Sequence, residues 1–190
     1  MTQFFWVRHG PTHAKTMVGW SDLPADLSDT AQLARLAAAL PRDALVISSD
    51  LSRAVATADA IQQDRPRLPH DAALREMHFG DWELQHWADI PDQAQLQAFW
   101  DSPGAIAPPG GESWDAVSAR VSGAADRLVA AHPGRAIVVV AHFGAILTQV
   151  QRATRATGRA VFAHKIDNLS LTELHLTDDG WQSLRINQVF

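Results

Sequence analysis

The chain has 190 residues, 46% of them hydrophobic, which suffices for one filled core and is little for two, so a single domain over residues 1–190 is expected. A formal charge of −5 offers no basic field for nucleic acid or an anionic membrane; neither partner is expected, and a bound anion must be captured locally. The absence of cysteine excludes disulfides, thiolate nucleophiles and Cys-ligated metal centres. Met1 to Val7 lacks a secretory pattern and no apolar run approaches the roughly 20 residues of a membrane span, so a soluble, cytoplasmic protein is expected.

In chain order, Phe4-Phe5-Trp6-Val7 is an unbroken apolar run of the kind found in strands buried on both faces of a parallel sheet. Ser28 to Leu40 carries apolar residues at helical spacing, with Ser28 or Asp29 placed to cap it and Pro41 to stop it. Leu45-Val46-Ile47 is a second strand, and the alanine-rich Leu51 to Ile61 a second helix. Met77 to Gly111, rich in Trp, Pro and Gly, is irregular apart from a short helix near Gln93 to Trp100; it is expected to be a lid-like insertion over the site at about 77–111. Glu112 to Ala131 is a helix with Val117, Val121, Ala124, Leu128 and Val129 buried, ended by His132-Pro133-Gly134. Ala136 to Ala141 is a third buried strand and Gly144 to Ala153 a further helix. Leu169 to Leu176 and Trp181 to Asn187 alternate as two antiparallel strands joined through Asp178-Asp179-Gly180, and the whole order indicates an α/β sandwich.

Ligand sites of open α/β sheets lie at the carboxyl ends of the strands. Arg8-His9-Gly10 follows the first strand, His142-Phe143-Gly144 follows the third and opens a helix, and Arg53 lies about one turn into the helix after the second. Each feature alone has an ordinary explanation: a hydrogen-bonded histidine, a surface arginine, a helix start. Together they bring two guanidiniums, whose forks match phosphate oxygens, to two imidazoles, which supply a donor and a nucleophilic nitrogen. Transfer of a phosphoryl group to nitrogen also needs a carboxylic acid of raised pKa to protonate the leaving alkoxide, for which Glu76, Asp81, Glu83 and Glu112 are candidates. Glu112 and Ser113 open a helix, where charge and capping explain them as well. Trp20, Trp82, Trp87, Trp100 and Trp114 fall in segments expected around the mouth, most of them as packing and one or two as a stacking surface. The remaining histidines show no HExxH or paired-ligand spacing, so no metal is expected, and P-loop, GxGxxG and GxSxG patterns are absent.

Five segments occur together and in order: Arg8-His9-Gly10-Pro11-Thr12, Ser48 to Arg53 with Ala56-Thr57-Ala58 beyond, Leu74 to Glu83, Pro109 to Ser113, and His142-Phe143-Gly144. With Asn168-Leu169-Ser170-Leu171 near the end, they resemble the histidine phosphatase (phosphoglycerate mutase-like) superfamily over nearly the whole chain. The resemblance implies a three-layer α/β/α sandwich with a mostly parallel sheet. It implies a phosphohistidine intermediate on His9, phosphate binding by Arg8, Arg53 and His142, and Glu76 as acid and then base. Thr12 and Lys15, in the same stretch as the nucleophile, are candidate substrate contacts. Lys15 departs from the Asn often found at its position, and Ala31 from a common Gly.

The resemblance further implies a metal-independent phosphomonoester hydrolase without cofactor, acting on a small phosphorylated metabolite. The Leu74 to Glu83 and Pro108 to Ser113 segments look like the alpha-ribazole phosphatase branch, which makes alpha-ribazole 5'-phosphate a candidate substrate. Phosphoglycerate mutase-type transfer is the alternative, although such mutases are usually longer; a non-catalytic phospho-ligand binding domain is another. A monomer or homodimer is expected.

Overall fold

The computed structural model describes residues 1–190. Five strands form one sheet: β1 (Thr2–Arg8), β2 (Leu45–Ser48), β3 (Ala136–Ala141), β4 (Leu171–Thr177) and β5 (Gly180–Gln188), in the order β2-β3-β1-β4-β5. β3 pairs in parallel with both β1 and β2, β4 runs antiparallel to β1, and β5 antiparallel to β4. Four strands therefore share one direction and only β4 opposes it, so the sheet is mostly parallel, as the resemblance implied. The helices are α1 (Thr30–Ala39), α2 (Ser52–Gln62), α3 (Gln93–Asp101), α4 (Trp114–Ala131), α5 (Phe143–Thr154) and the short α6 (Gly158–Val161).

Unbroken apolar runs in β1 and β3 follow from their central place. Alternate side chains enter opposite cores, and both sets are fully covered. Phe4 and Trp6 join Ile137 and Val139 beneath α4 and α5, whereas Phe5 and Val7 join Val138 and Val140 beneath α1 and α2. Each such side chain taken fully out of water contributes roughly 1.5–3 kcal/mol before chain entropy is set against it. The result is helix, sheet and helix in three layers, with the carboxyl ends of β1, β2 and β3 adjacent along one edge.

Helix boundaries follow the caps. Asp29 accepts a hydrogen bond from Gln32 N (2.9 Å) to start α1, and Ser113 accepts from Ala116 N (3.2 Å) to start α4 two residues after Glu112. α5 begins at Phe143 and extends one residue past the expected end, to Thr154. The 77–111 stretch contains α3 and two 3-10 turns, Gly80–Trp82 and Trp87–Asp89. Its two ends meet: Asp81 N donates to Pro109 O (2.8 Å) and Glu112 N to His78 O (2.8 Å). Gly80 makes that junction, since it has a φ of +54° and a Cβ there would lie 2.5 Å from Gly111 N.

Candidate active site

His9 follows β1 directly, and its backbone is held from three sides. Its N–H donates to Ala141 O (3.1 Å), Asn168 Nδ2 donates to its carbonyl (2.8 Å), and Gly10 N donates to Thr57 Oγ1 in α2 (2.9 Å). The ring is buried, with Nδ1 2.7 Å from the Gly10 carbonyl oxygen. A carbonyl only accepts, so Nδ1 carries the hydrogen. Burial foremost, then the Arg53 charge, lowers the pKa of His9 to about 3, with the Gly10 bond opposing and Arg8 adding to the shift. Near neutral pH the ring is uncharged and Nε2 presents a lone pair.

Three further side chains lie near that ring. Arg8 ends β1 and donates from Nη1 to Ile166 O (2.6 Å); Arg53, in the first turn of α2, donates from Nη1 to Ser21 O (2.8 Å) and from Nη2 to Gly19 O (2.6 Å). These carbonyls fix both guanidiniums yet leave each Nε buried without a partner. His142 follows β3, with its ring centroid 5.0 Å from that of His9. Its Nε2 lies 2.7 Å from Ser49 Oγ, and its Nδ1 is likewise buried and unpaired. Burial first, then His9, Arg53 and the other nearby cations, holds the His142 pKa well below the usual histidine value. A buried donor left unpaired costs about 1–3 kcal/mol. Three such polar atoms lie in the neighbourhood of the His9 ring.

Of the four acid candidates, Glu76 alone lines this cavity. It is buried, accepting from Met77 N at Oε1 (2.9 Å) and from Gly144 N at Oε2 (3.0 Å). The second contact requires glycine, because a Cβ on residue 144 would lie 2.5 Å from Glu76 Oε1. The Glu76 backbone is pinned as well: Trp20 Nε1 donates to its carbonyl (2.8 Å), and Arg120 donates to it (3.1 Å) and to the carbonyls of Ala73 and Arg75 (both 3.0 Å). Glu112 serves this lattice by pairing with Arg120 (2.7 Å) and accepting from His78 N (3.0 Å). Glu83 is spent elsewhere, on the N–H groups of Gly19, Trp20, Ser21 and Phe79 and on the Ser21 hydroxyl. Burial raises its pKa, but those donors outweigh burial and hold it lowered, as an ionised clamp. Asp81 is exposed and outside the cavity.

The cavity measures about 220 Å³. Thr12, Ala14, Thr16, Met17 and Val18 form one wall; Phe79, Trp100 and Phe143 form another. Thr12 is therefore at the site, whereas Lys15 is exposed and outside the wall made by its two neighbours. Of the five tryptophans in question, Trp82 and Trp114 are core, Trp87 is exposed, Trp20 supports Glu76, and Trp100 reaches the cavity. A larger groove of about 460 Å³ at Arg42 and Arg65 is a packing feature, since the Arg65 guanidinium donates to Ala37 O, Leu40 O, Pro41 O and Ile61 O and so closes the ends of α1 and α2.

Sequence reasoning missed Arg120 and gave no individual role to Ser49, Thr57 and Asn168 within their motifs or to Trp20 as a support for Glu76. A signal existed for Ser49: with Ser48 paired to Val140, the residue after β2 comes beside the end of β3 and hence near His142. That signal depends on knowing which strands adjoin.

The site is thus a buried imidazole that shares a cavity with two guanidiniums and a carboxylate at the strand ends of an α/β fold. The model of the histidine phosphatase superfamily (branch 1) matches residues 4–189, and the chain belongs to that family. Adenosylcobalamin/alpha-ribazole phosphatase of Escherichia coli is 32% identical over 77% of this chain and 68% of its own length. Bifunctional protein Rv2228c of Mycobacterium tuberculosis is 29% identical over 97% of this chain, which spans only about half (53%) of that longer relative. Among solved structures, Bacillus stearothermophilus YhfR superposes with a TM-score of 0.87 at 25% identity, covering 96% of this chain and 95% of that one.

Proposed function

We propose that the protein is a metal-independent phosphomonoesterase working through phospho-His9. The observation that carries this reading is that Arg8, Arg53 and Glu76 share one cavity with a histidine whose Gly10 bond leaves Nε2 free, while Arg8 Nε, Arg53 Nε and the Nδ1 of neighbouring His142 are buried without partners. In the first step Nε2 attacks phosphorus while the P–O bond to the leaving group breaks and Glu76 delivers a proton to that oxygen. Arg8, Arg53 and His142 hold the non-bridging oxygens, where charge is spread in the transition state. In this arrangement Ser49 donates to His142 Nε2, so that Nδ1 carries the hydrogen offered to phosphate. In the second step water attacks the phosphohistidine, the P–N bond breaks, and Glu76 accepts the water proton.

Residues 77–111 act as a lid in this reading, returning Phe79 and Trp100 to the cavity wall. The substrate is a small phosphorylated metabolite, and the Escherichia coli relative supports alpha-ribazole 5'-phosphate as the one to try first. The test is hydrolysis of an aryl phosphate without added metal, wild type against His9→Ala. Turnover in the wild type only, untouched by chelator and inhibited by vanadate, is expected; equal turnover in both proteins, or loss with chelator, refutes the mechanism.

A further inference from the structure

Everything charged in the cavity is already committed. Arg8, Arg53, His9 and Glu76 serve the phosphate in the reading above, on which this inference rests, and no other lining residue is ionisable. The rest of the lining is uncharged: Thr12, Ala14 and Thr16 on one side, with Met17, Val18, Phe79, Trp100 and Phe143 as its large apolar part. A small apolar cavity of about 30 Å³ continues it, sharing Glu76, Phe79, Trp100 and Phe143 and ending on Phe162. The rings support one another: Trp100 packs edge-on to Phe99 (centroids 4.8 Å) and to Phe162 (5.7 Å), and the Arg8 guanidinium lies 5.5 Å over the Phe143 ring. Such a wall is an assembled surface, and Trp100 remains 38% exposed at its outer end.

Two physical consequences follow. A flat apolar group placed against these rings leaves water on both sides of the contact, which is favourable. A carboxylate placed there would be desolvated beside Glu76 with no cation of its own, which is unfavourable. We infer that the site selects phosphomonoesters whose leaving group carries an uncharged ring, and disfavours those whose leaving group carries a carboxylate, with Trp100 as a specificity-determining residue. Lys15, exposed and outside the wall, supplies no counter-charge.

Non-hydrolysable phosphonates test this separately from catalysis. The intact protein is titrated calorimetrically with methylphosphonate, phosphonoacetate and 1-naphthylmethylphosphonate, which share the phosphate-like head. The naphthyl compound is expected to bind at least about 10-fold more tightly than methylphosphonate, in the range that modest apolar contacts produce, and phosphonoacetate no more tightly than methylphosphonate. In Trp100→Ala the naphthyl-to-methyl ratio should fall to within about 3-fold, a ratio that a general loss of folded protein would leave unchanged. Tighter binding of phosphonoacetate than of methylphosphonate, an absent naphthyl preference, a preference indifferent to Trp100, or no binding of any of the three would each overturn the inference. Retained preference in a protein that turns over no phosphate ester would instead refute the proposed phosphatase mechanism and leave this selectivity standing.

Discussion

Gly144→Ala separates the helix from the chemistry. Residue 144 lies in the first turn of α5, where alanine is ordinarily better than glycine by up to about 1 kcal/mol. Here the new methyl group would sit 2.5 Å from Glu76 Oε1, against an ordinary contact of at least 3.4 Å, so the carboxylate must retreat by about 1 Å. It then loses the N–H of Gly144, a bond to a charged acceptor worth about 1.5–3 kcal/mol. The expected net destabilisation is about 1 kcal/mol, small enough for the protein to stay folded. Misplacing a reacting group by about 1 Å costs on the order of 100-fold in rate. Glu76 acts in both half-reactions in our mechanism, but its proton matters least when the leaving group is a good one. The variant should therefore lose about 100-fold in kcat on an alkyl phosphate, while p-nitrophenyl phosphate still phosphorylates His9 and yields a burst of nitrophenolate before a slow steady state. Stopped-flow absorbance reads the burst and thermal melting checks the fold. A folded variant within about 3-fold of wild type on the alkyl ester would show that Glu76 is not the acid.

Ser49→Ala removes the hydroxyl 2.7 Å from His142 Nε2, and with it the bond that leaves Nδ1 as the donor to phosphate. Loss of about 1–1.5 kcal/mol should weaken competitive inhibition by inorganic phosphate roughly 10-fold, and an unchanged inhibition constant would remove Ser49 from the site. Acid should destabilise the fold through His9. Its folded pKa is lowered to about 3, so between the ordinary value near 6.5 and about 3 the unfolded chain binds a proton that the folded one refuses. The stabilisation that comes from keeping this ring neutral is complete above pH 6.5 and is lost progressively as pH falls toward 3. Urea melts at pH 7 and pH 4.5 should show His9→Asn losing about 2 kcal/mol less than wild type over that interval, and parallel losses would mean that His9 titrates normally.

The parts of the site that could be read in advance are those whose placement is local along the chain. Buried runs ending in Arg8-His9 and in Ala141-His142 announce where a strand stops, and residues just past a stop lie at the sheet edge whatever the strand order. Arg53 needed one further local step, a turn of helix after β2. The supporting contacts are not local. Asn168 reaches the His9 carbonyl across 159 positions, and Ser49 reaches His142 across 93, so neither can be inferred without the order β2-β3-β1-β4. Even within the motif segments, pattern stops at the side chain: the odd neighbours of the 14–18 wall include Lys15, which falls outside the cavity although Ala14 and Thr16 line it.

Glu76 and Glu83 show what finally distinguishes two chemically identical candidates in one ten-residue segment. Both are carboxylates bonded to backbone N–H groups, so residue type and bonding partners in kind do not separate them, although Glu76 is buried and Glu83 only partly so. The difference is which segment each one faces. Glu83 is turned toward residues 19–21, the same loop whose carbonyls receive Arg53, and its ionised form fixes that loop behind the guanidinium. Glu76 is turned toward the start of α5, and its backbone is clamped by Trp20 and Arg120. One carboxylate thus orders the loop behind Arg53 while the other lines the cavity. The place of Glu76 depends on the absence of a side chain at residue 144, which is why Gly144→Ala is the sharpest probe of its role.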